Sequence, residues 1–351
     1  MSALAAAPYI RAQGGAAPRK LGVALLGLGN YATKELGPAL KLTKDCYLAG
    51  IVTGSPQKVP EWVKGYGFPE KNVWSYETMG RMAENKDIDI VYVVTPNGLH
   101  MRDAIAVAKA GKHVIIEKPM ANTAAECDAI LAACKAAKVK CGIGYRLHFD
   151  PYHKEMMRLA KEKDFGVLKK MTGDRGFHIN NWRWRIDRKL AGGGPMMDIG
   201  IYINHAASMC AEGAAPAFVT AQHSPITKPD LFKDVEEGTR YKLEFANGAV
   251  CDAFTSYSHS ADTFRAEGDK GWIHFKEKTF TYRGVKVDTS RGPLDFTPYV
   301  NQQALQMDDF ARCVREGRES VVSGEVGRRD NVVIDAIYEA ARTGKRVAVK
   351  V

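Results

Sequence analysis

The sequence predicts an α/β chain in two parts: an N-terminal doubly wound parallel sheet, then a C-terminal α+β part with a large open, mainly antiparallel sheet. Three observations carry this. A glycine-rich turn follows the first apolar run, Leu21 to Leu26. Strand-length apolar runs then alternate with helical stretches as far as Tyr145, the pattern of parallel strands joined by crossover helices. From Ala217 to Val287 strand-like runs follow one another with short connections, which parallel crossovers do not allow. The expected division is a tail over 1–19, one domain over 20–145 and a second over 146–351.

The stretch KLGVALLGLGNYA, Lys20 to Ala32, combines a buried strand, a tight turn and a helix start. Gly27, Gly29 and Ala32 form a G-x-G-x-x-A pattern, with Leu28, Asn30 and Tyr31 between them. The first glycine permits the turn, the second lets a pyrophosphate approach the backbone, and the alanine lets the helix pack close. The helix N-terminus offers free N–H groups to phosphate. Tyr47 to Val52 is the next strand. An acid at its end would hold the ribose 2′-OH of NAD and repel a 2′-phosphate. Thr53, Ser55 and Lys58 stand there instead, so NADP is expected over NAD.

Pro60 to Tyr66 is helical, and Asn72 to Met79 leads into a helix ending near Lys86. Ile88 to Val94 suits a strand buried on both faces. Arg102 to Lys109 is a helix closed by Gly111. His113 to Ile116 is a strand. Thr123 and Glu126 make a capping box for a helix to Ala137. Val139 to Tyr145 is the last strand of this part. Then come a helix from Pro151 to Lys163, a strand from Val167 to Asp174, and a helix from Pro195 to Ala211 behind Ala191–Gly194. The strands expected next are 218–223, 240–245, 249–256, 263–268, 272–276 and 280–283. Asn247-Gly248 marks a hairpin. Helices at 302–316 and 327–343 close the chain.

At 351 residues, 45% hydrophobic and 26% charged, the chain has room for two cores and the balance of a globular protein. No apolar run reaches the length of a membrane span. The net charge of +10 is spread along the chain, densest at Arg183, Arg185, Arg188 and Lys189 beside Trp182 and Trp184. This suits a phosphate-bearing cofactor better than nucleic acid. The seven cysteines show no CxxC pair and no metal spacing; Cys46, Cys127, Cys134, Cys141 and Cys251 are expected as small core residues, and no metal is expected. Residues 1–19 have neither the basic start nor the apolar core of a signal peptide, and a cytoplasmic protein is expected.

Ligands of open α/β sheets lie at the carboxyl ends of the strands. Three loops there carry polar residues: Thr95-Pro96-Asn97 with His100, Glu117-Lys118-Pro119, and Tyr145-Arg146. Lys118 follows directly on an apolar strand, where its ammonium can bond a substrate oxygen and acidify a neighbour. Asp198 and Tyr202 stand four apart at a helix start, on one face. A carboxylate can hold hydroxyls. A phenol can take an alcohol's proton, given a nearby cation.

These residues carry a resemblance. Leu26–Ala32, Thr95–Asn97 with His100, Gly111–Val114, Glu117–Met120, Gly144–Arg146, Trp184-Arg185, Ala191–Gly194, Met197–Tyr202 and Ala336–Gly344 are together similar to the glucose–fructose oxidoreductase (Gfo/Idh/MocA) family, from about Leu21 to Val347. The resemblance implies a Rossmann domain and an open sheet used for subunit packing, hence a dimer or tetramer. It implies Lys118 at nicotinamide and substrate, Asp198 in the substrate site, and Tyr202 as general base where many members carry His. It further places Ser55 and Lys58 at the 2′-phosphate, Tyr76 on the adenine side, Trp184 and Arg185 over the cofactor, and Arg146 at the substrate. The cofactor set is then Gly27, Leu28, Gly29, Asn30, Tyr31, Thr53, Ser55, Lys58, Tyr76, Thr95, Pro96, Asn97, His100, Glu117, Lys118, Arg146, Trp184 and Arg185. The substrate set is Lys118, Arg146, Asp198 and Tyr202.

Tyrosine at 202 resembles the branch that holds NADP tightly and passes hydride between two sugars. The expected reaction oxidises a cyclic aldose at C1 to an aldonolactone and reduces a second sugar to an alditol. An aldose dehydrogenase with exchangeable NADP and a non-catalytic NADP-binding regulator are the alternatives.

Overall fold

The computed structural model describes residues 19–180 and 183–351. Residues 1–18 of the expected 1–19 tail, and Trp182, lie outside the described residues. Six parallel strands form the first sheet: β1 (Leu21–Leu26), β2 (Cys46–Val52), β3 (Val73–Trp74), β4 (Ile90–Val93), β5 (His113–Ile116) and β6 (Cys141–Ile143). Their order is β3-β2-β1-β4-β5-β6. The strand order reverses between β1 and β4, which opens a crevice at the carboxyl ends. Strand β1 is buried along its length because it serves two cores. Leu21, Val23 and Leu25 face one, and Ala24 and Leu26 the other.

Helices α1 (Val59–Tyr66), α2 (His100–Lys109) and α3 (Ala124–Ala137) cover this sheet. Thr123 caps α3 by accepting the Glu126 N–H, as expected, but Glu126 returns its bond to Asn122 rather than to Thr123. The helix expected before Lys86 is a tight 3₁₀ turn, Met79–Glu84.

The second sheet has nine strands: β7 (Leu168–Gly176), β8 (Phe218–His223), β9 (Gly238–Glu244), β10 (Val250–Ser256), β11 (Ala261–Gly268), β12 (Trp272–Glu277), β13 (Lys286–Thr289), β14 (Gly292–Leu294) and β15 (Val347–Ala348). The order is β14-β13-β12-β11-β7-β10-β9-β8-β15. All neighbours are antiparallel except the central pair β7 and β10. A long connection through a helix separates β7 from the later strands, so its direction is not forced to alternate.

The strand expected at 280–283 is a turn. Phe280 is buried, and the carbonyls of Phe280 and Thr281 accept from the Arg146 guanidinium instead of from a neighbouring strand. Strands β13, β14 and β15 were not expected; each is short and lies towards an edge of the sheet.

Helix α4 (Pro151–Lys161) leads into β7. A wide π-type turn, Met196–Gly200, precedes α5 (Ile201–Cys210), which packs on the inner face of the second sheet. Ile203 fills the space over Gly173, where a Cβ would overlap it. Helix α6 (Gln302–Glu316) carries Met307, Phe310 and Ala311 back into a core of the first sheet, and α7 (Gly324–Thr343) packs on α3 and β8. The outer face of the second sheet shows Thr172, Asp174, Arg240, Lys242, Asp252 and Phe254 side by side. All seven cysteines are buried and free. Among the described residues no helix is long and apolar enough to cross a membrane.

Candidate active site

The turn after β1 has the backbone a phosphate cradle needs. Gly27 takes φ of +100°, in the left-handed region. A Cβ on Gly29 would meet nothing within 4 Å, so its backbone faces open space. Leu28 is buried, Asn30 is exposed, and the Tyr31 ring lies 5.9 Å from that of Tyr282. The loop after β2 is tied to this turn. Lys58 Nζ donates to the Leu28 carbonyl at 2.7 Å, and the Thr53 hydroxyl accepts the Ser55 N–H at 3.0 Å. No carboxylate stands at the end of β2. Tyr76 packs against Gly54, and the Arg102 guanidinium sits 5.8 Å over its ring. Arg102 was missed in the sequence. Its position, two residues into the helix after β4, was the available signal.

Three expected cofactor side chains turn inward instead. His100 is fully buried, with its ring nitrogens 2.9 Å from the Pro119 carbonyl and 2.8 Å from that of Thr95. The Thr95 hydroxyl donates to Asp103 at 2.8 Å, and Asn97 Nδ2 donates to the Ala191 carbonyl at 2.9 Å. Each polar group is satisfied by protein, so these side chains brace the loops that line the crevice. Pro96 leads into the short turn Asn97–Leu99. Glu117 accepts from the Tyr92 hydroxyl at 2.7 Å and from the Lys118 N–H at 3.3 Å; burial pushes its carboxyl up.

Lys118 leaves the end of β5 and meets the wide turn before α5. Its Nζ donates to the Asp198 carbonyl at 2.6 Å, lies 3.6 Å from Asp198 Oδ1, and sits 4.5 Å over the Tyr202 ring. Asp198 Oδ2 accepts from Arg185 Nε and from the Tyr257 hydroxyl, both at 2.9 Å. Burial raises the Asp198 carboxyl, but Arg185 and Lys118 outweigh it and hold the pKa at about 2. The Lys118 and Asp198 side chains are 11% and 14% exposed, so a small solute can reach them. Arg185, one of the dense basic cluster, thus turns inward, with the Trp184 ring 4.3 Å from its guanidinium. Tyr257 was missed because only pairing of distant strands brings it here.

The approach to Asp198 is cramped. The Gly194 and Met196 N–H groups donate to the Glu236 carboxylate at 2.9 and 3.1 Å, and the Tyr338 hydroxyl donates to it at 2.9 Å. A Cβ on Gly193 would overlap the Tyr338 hydroxyl, and one on Gly194 the Glu236 carbonyl.

Tyr202 is surrounded by cations. Burial raises its phenol, but Lys118 and Arg146, with Arg175 behind them, bring it below the ordinary value. Arg146, expected at the substrate, is only 2% exposed and lies against the Tyr202 ring at 5.6 Å. It donates to the Phe280 and Thr281 carbonyls and to Gln302 Oε1. The cleft therefore combines a fixed carboxylate, an ammonium and an acidified phenol, a set suited to orienting hydroxyls and taking an alcohol's proton. Among the described residues no cluster of three His, Cys, Asp or Glu is placed to hold a metal.

Comparison with known proteins points the same way. Residues 21–145 match the family model of the Gfo/Idh/MocA oxidoreductases, described as an NAD-binding Rossmann fold, and residues 153–274 match the C-terminal domain model of that family. The crystal structure of an aldose-aldose oxidoreductase from Caulobacter crescentus, complexed with glycerol, is 40% identical. It superposes with a TM-score of 0.91 over 94% of this chain and 100% of its own. A D-xylose 1-dehydrogenase [NADP(+)] of Haloarcula marismortui is 26% identical, covering 92% of each chain. A levoglucosan dehydrogenase of Pseudarthrobacter phenanthrenivorans is 28% identical over 83% of this chain and 86% of its own.

Proposed function

The chain belongs to the Gfo/Idh/MocA oxidoreductase family as a sugar oxidoreductase, and from that premise we propose that it oxidises a cyclic aldose at C1 to an aldonolactone and reduces a second sugar to an alditol, keeping NADP bound throughout. The observation that supports this most is the meeting of Lys118, Asp198 and Tyr202 at the carboxyl edge of β5.

The groups of the cofactor end fit a dinucleotide with a 2′-phosphate: open backbone at Gly29, hydroxyls at Thr53 and Ser55, the Lys58 ammonium and no opposing acid. NADP held there and by the Glu117–Lys118 loop supplies the hydride acceptor and, once reduced, the hydride donor. Tyr202, as phenolate, takes the proton of the C1 hydroxyl. Lys118 donates to the same oxygen and favours the phenolate. Asp198, ionised at any working pH, accepts from a neighbouring hydroxyl and fixes the ring. In the return half-reaction the Tyr202 phenol gives its proton to the carbonyl oxygen of the second sugar.

The test uses purified protein with no cofactor added. Reduced-nicotinamide absorbance should rise on addition of glucose and fall when a second sugar follows. Absorbance that changes only after free NADP is supplied, then climbs steadily, identifies the exchangeable dehydrogenase. Bound cofactor that responds to no aldose identifies a regulator.

The same reading divides the chain at Tyr145 into cofactor and substrate domains. It covers the outer face of the second sheet with another copy of the chain, where Arg240 lies 4.6 Å from the Phe254 ring and Arg265 4.3 Å from that of Trp272. Light scattering on Phe254→Glu should report a smaller particle than the parent.

A further inference from the structure

Arg146 presents an electrostatic problem. A guanidinium taken out of water is costly to leave without an anion. Arg146 makes no ion pair with a carboxylate among the described residues. Besides the Tyr202 hydroxyl, its acceptors are two backbone carbonyls and the Gln302 amide oxygen, all neutral. Asp150 stands one step away, occupied by His153 and by the Gln302 amide N–H. What Arg146 touches is aromatic: the Tyr282 ring at 4.6 Å and the Tyr202 ring at 5.6 Å. Arg175, the other guanidinium near Tyr202, is already paired with Asp262.

We infer that Arg146 is a positioning residue for the proposed base: the Tyr202 phenolate is the counter-ion that this buried guanidinium lacks. The inference rests on the reading of Tyr202 as general base and adds a second cation, sealed from solvent, to Lys118. The charged and titratable groups that face Tyr202 come from six elements. Lys118 and Glu117 follow β5, Arg146 follows β6, Arg175 lies in β7, Asp198 precedes α5, Tyr282 follows β12, and Tyr31 follows the first turn. Glu117 and the other phenols oppose a phenolate. Lys118, Arg146 and Arg175 favour it, and of these three Arg146 is the one without an ion pair to a carboxylate. The arrangement explains why an arginine is buried under the cleft rather than displayed in it.

The decisive experiment is an ultraviolet tyrosinate titration of the full-length protein, with Tyr202→Phe subtracted to isolate Tyr202. Arg146→Met should move that titration to higher pH by about one unit or more, a tenfold loss of phenolate at a given pH. Arg146→Lys should restore most of it. The rising limb of the pH–kcat profile should move by the same amount in the same variants. An unchanged Tyr202 titration in folded Arg146→Met overturns the inference. The titration needs no turnover, so absence of sugar oxidation would refute the proposed reaction without touching this inference.

Where Arg146→Met does not fold, the Lys118→Met background serves. There the stability advantage of Tyr202 over Tyr202→Phe should still grow as pH rises towards 10, because the phenolate forms beside Arg146. An advantage that stays flat or shrinks overturns the inference.

Discussion

Two polar clusters share the helix α5 and a similar choice of side chains, yet only one opens to the crevice. Tyr202 meets Lys118 and Asp198 at the cleft. One turn further on, His205 bonds Asp330 at 2.6 Å under the stacked ring of Tyr145, with His205 and Asp330 each 1% exposed. Even neighbours in sequence divide between them. Tyr145 belongs to the sealed cluster, while Arg146 lies under the open one. In the sealed cluster every charge is matched: Asp330 takes His205 on one oxygen and the Arg329 fork on the other. In the open cluster cations exceed anions around one phenol. Matched charges fix the fold, and an excess of one sign leaves a group poised to change its protonation. Residue type alone does not distinguish the two.

Substitutions sharpen this contrast. The largest effect is expected at Tyr202→Phe: turnover should fall by about 10²–10⁴-fold with cofactor retention unchanged. Measured activity above a tenth of the parent would remove Tyr202 as the base. Asp330→Ala should do the reverse. Breaking the sealed pair should cost about 3–5 kcal/mol in denaturant unfolding, while kcat per folded molecule stays near the parent value. A kcat collapse in the folded fraction would mean that the two clusters are not independent.

Tyr257→Phe removes one of the two donors on Asp198 Oδ2 and nothing from the core volume. It should cost about 1 kcal/mol of transition-state binding, or a several-fold drop in kcat/KM. No drop would show that Arg185 and Lys118 suffice to hold Asp198.

The smallest effect is one of pH. Burial lowers the His205 pKa despite Asp330, so the folded state prefers the neutral ring while the unfolded chain protonates near ~6.5. Its contribution is therefore full above that value and declines as pH falls below it. The Asp330 carboxyl, held at about 2, adds stability that is present above its unfolded value near ~3.9 and lost only as pH falls towards 2. Melting temperature should thus decline from pH 6.5 to 5, and less steeply in His205→Gln. An equal slope in both proteins would assign the decline to other groups.

The open cluster was more legible in sequence than the sealed one for a physical reason. Lys118 follows an apolar strand, and Asp198 and Tyr202 lie on one helical turn, so local pattern brings each to a known edge of the fold. The glycine turn after β1 and the hairpin at Gly248 were equally local, since a positive φ leaves its mark in residue choice. The fate of Arg146 depended on the 280–283 segment offering its carbonyls, and no local pattern records where a distant loop ends. The protein partners of His100, Thr95 and Asn97 were illegible for the same reason: a polar side chain at a strand end serves a ligand or a neighbouring loop equally well until the loop's position is known. Tyr257 and Arg102 reach their places through the packing of distant elements.

The glycine stretch before Asp198 also has a bearing on biosynthesis. The Glu236 carboxylate holds it, and the Tyr338 hydroxyl holds that carboxylate. Tyr338 lies in α7, which leaves the ribosome long after Asp198 has been made. The contacts that fix the backbone before Asp198 therefore form only when the chain is nearly complete.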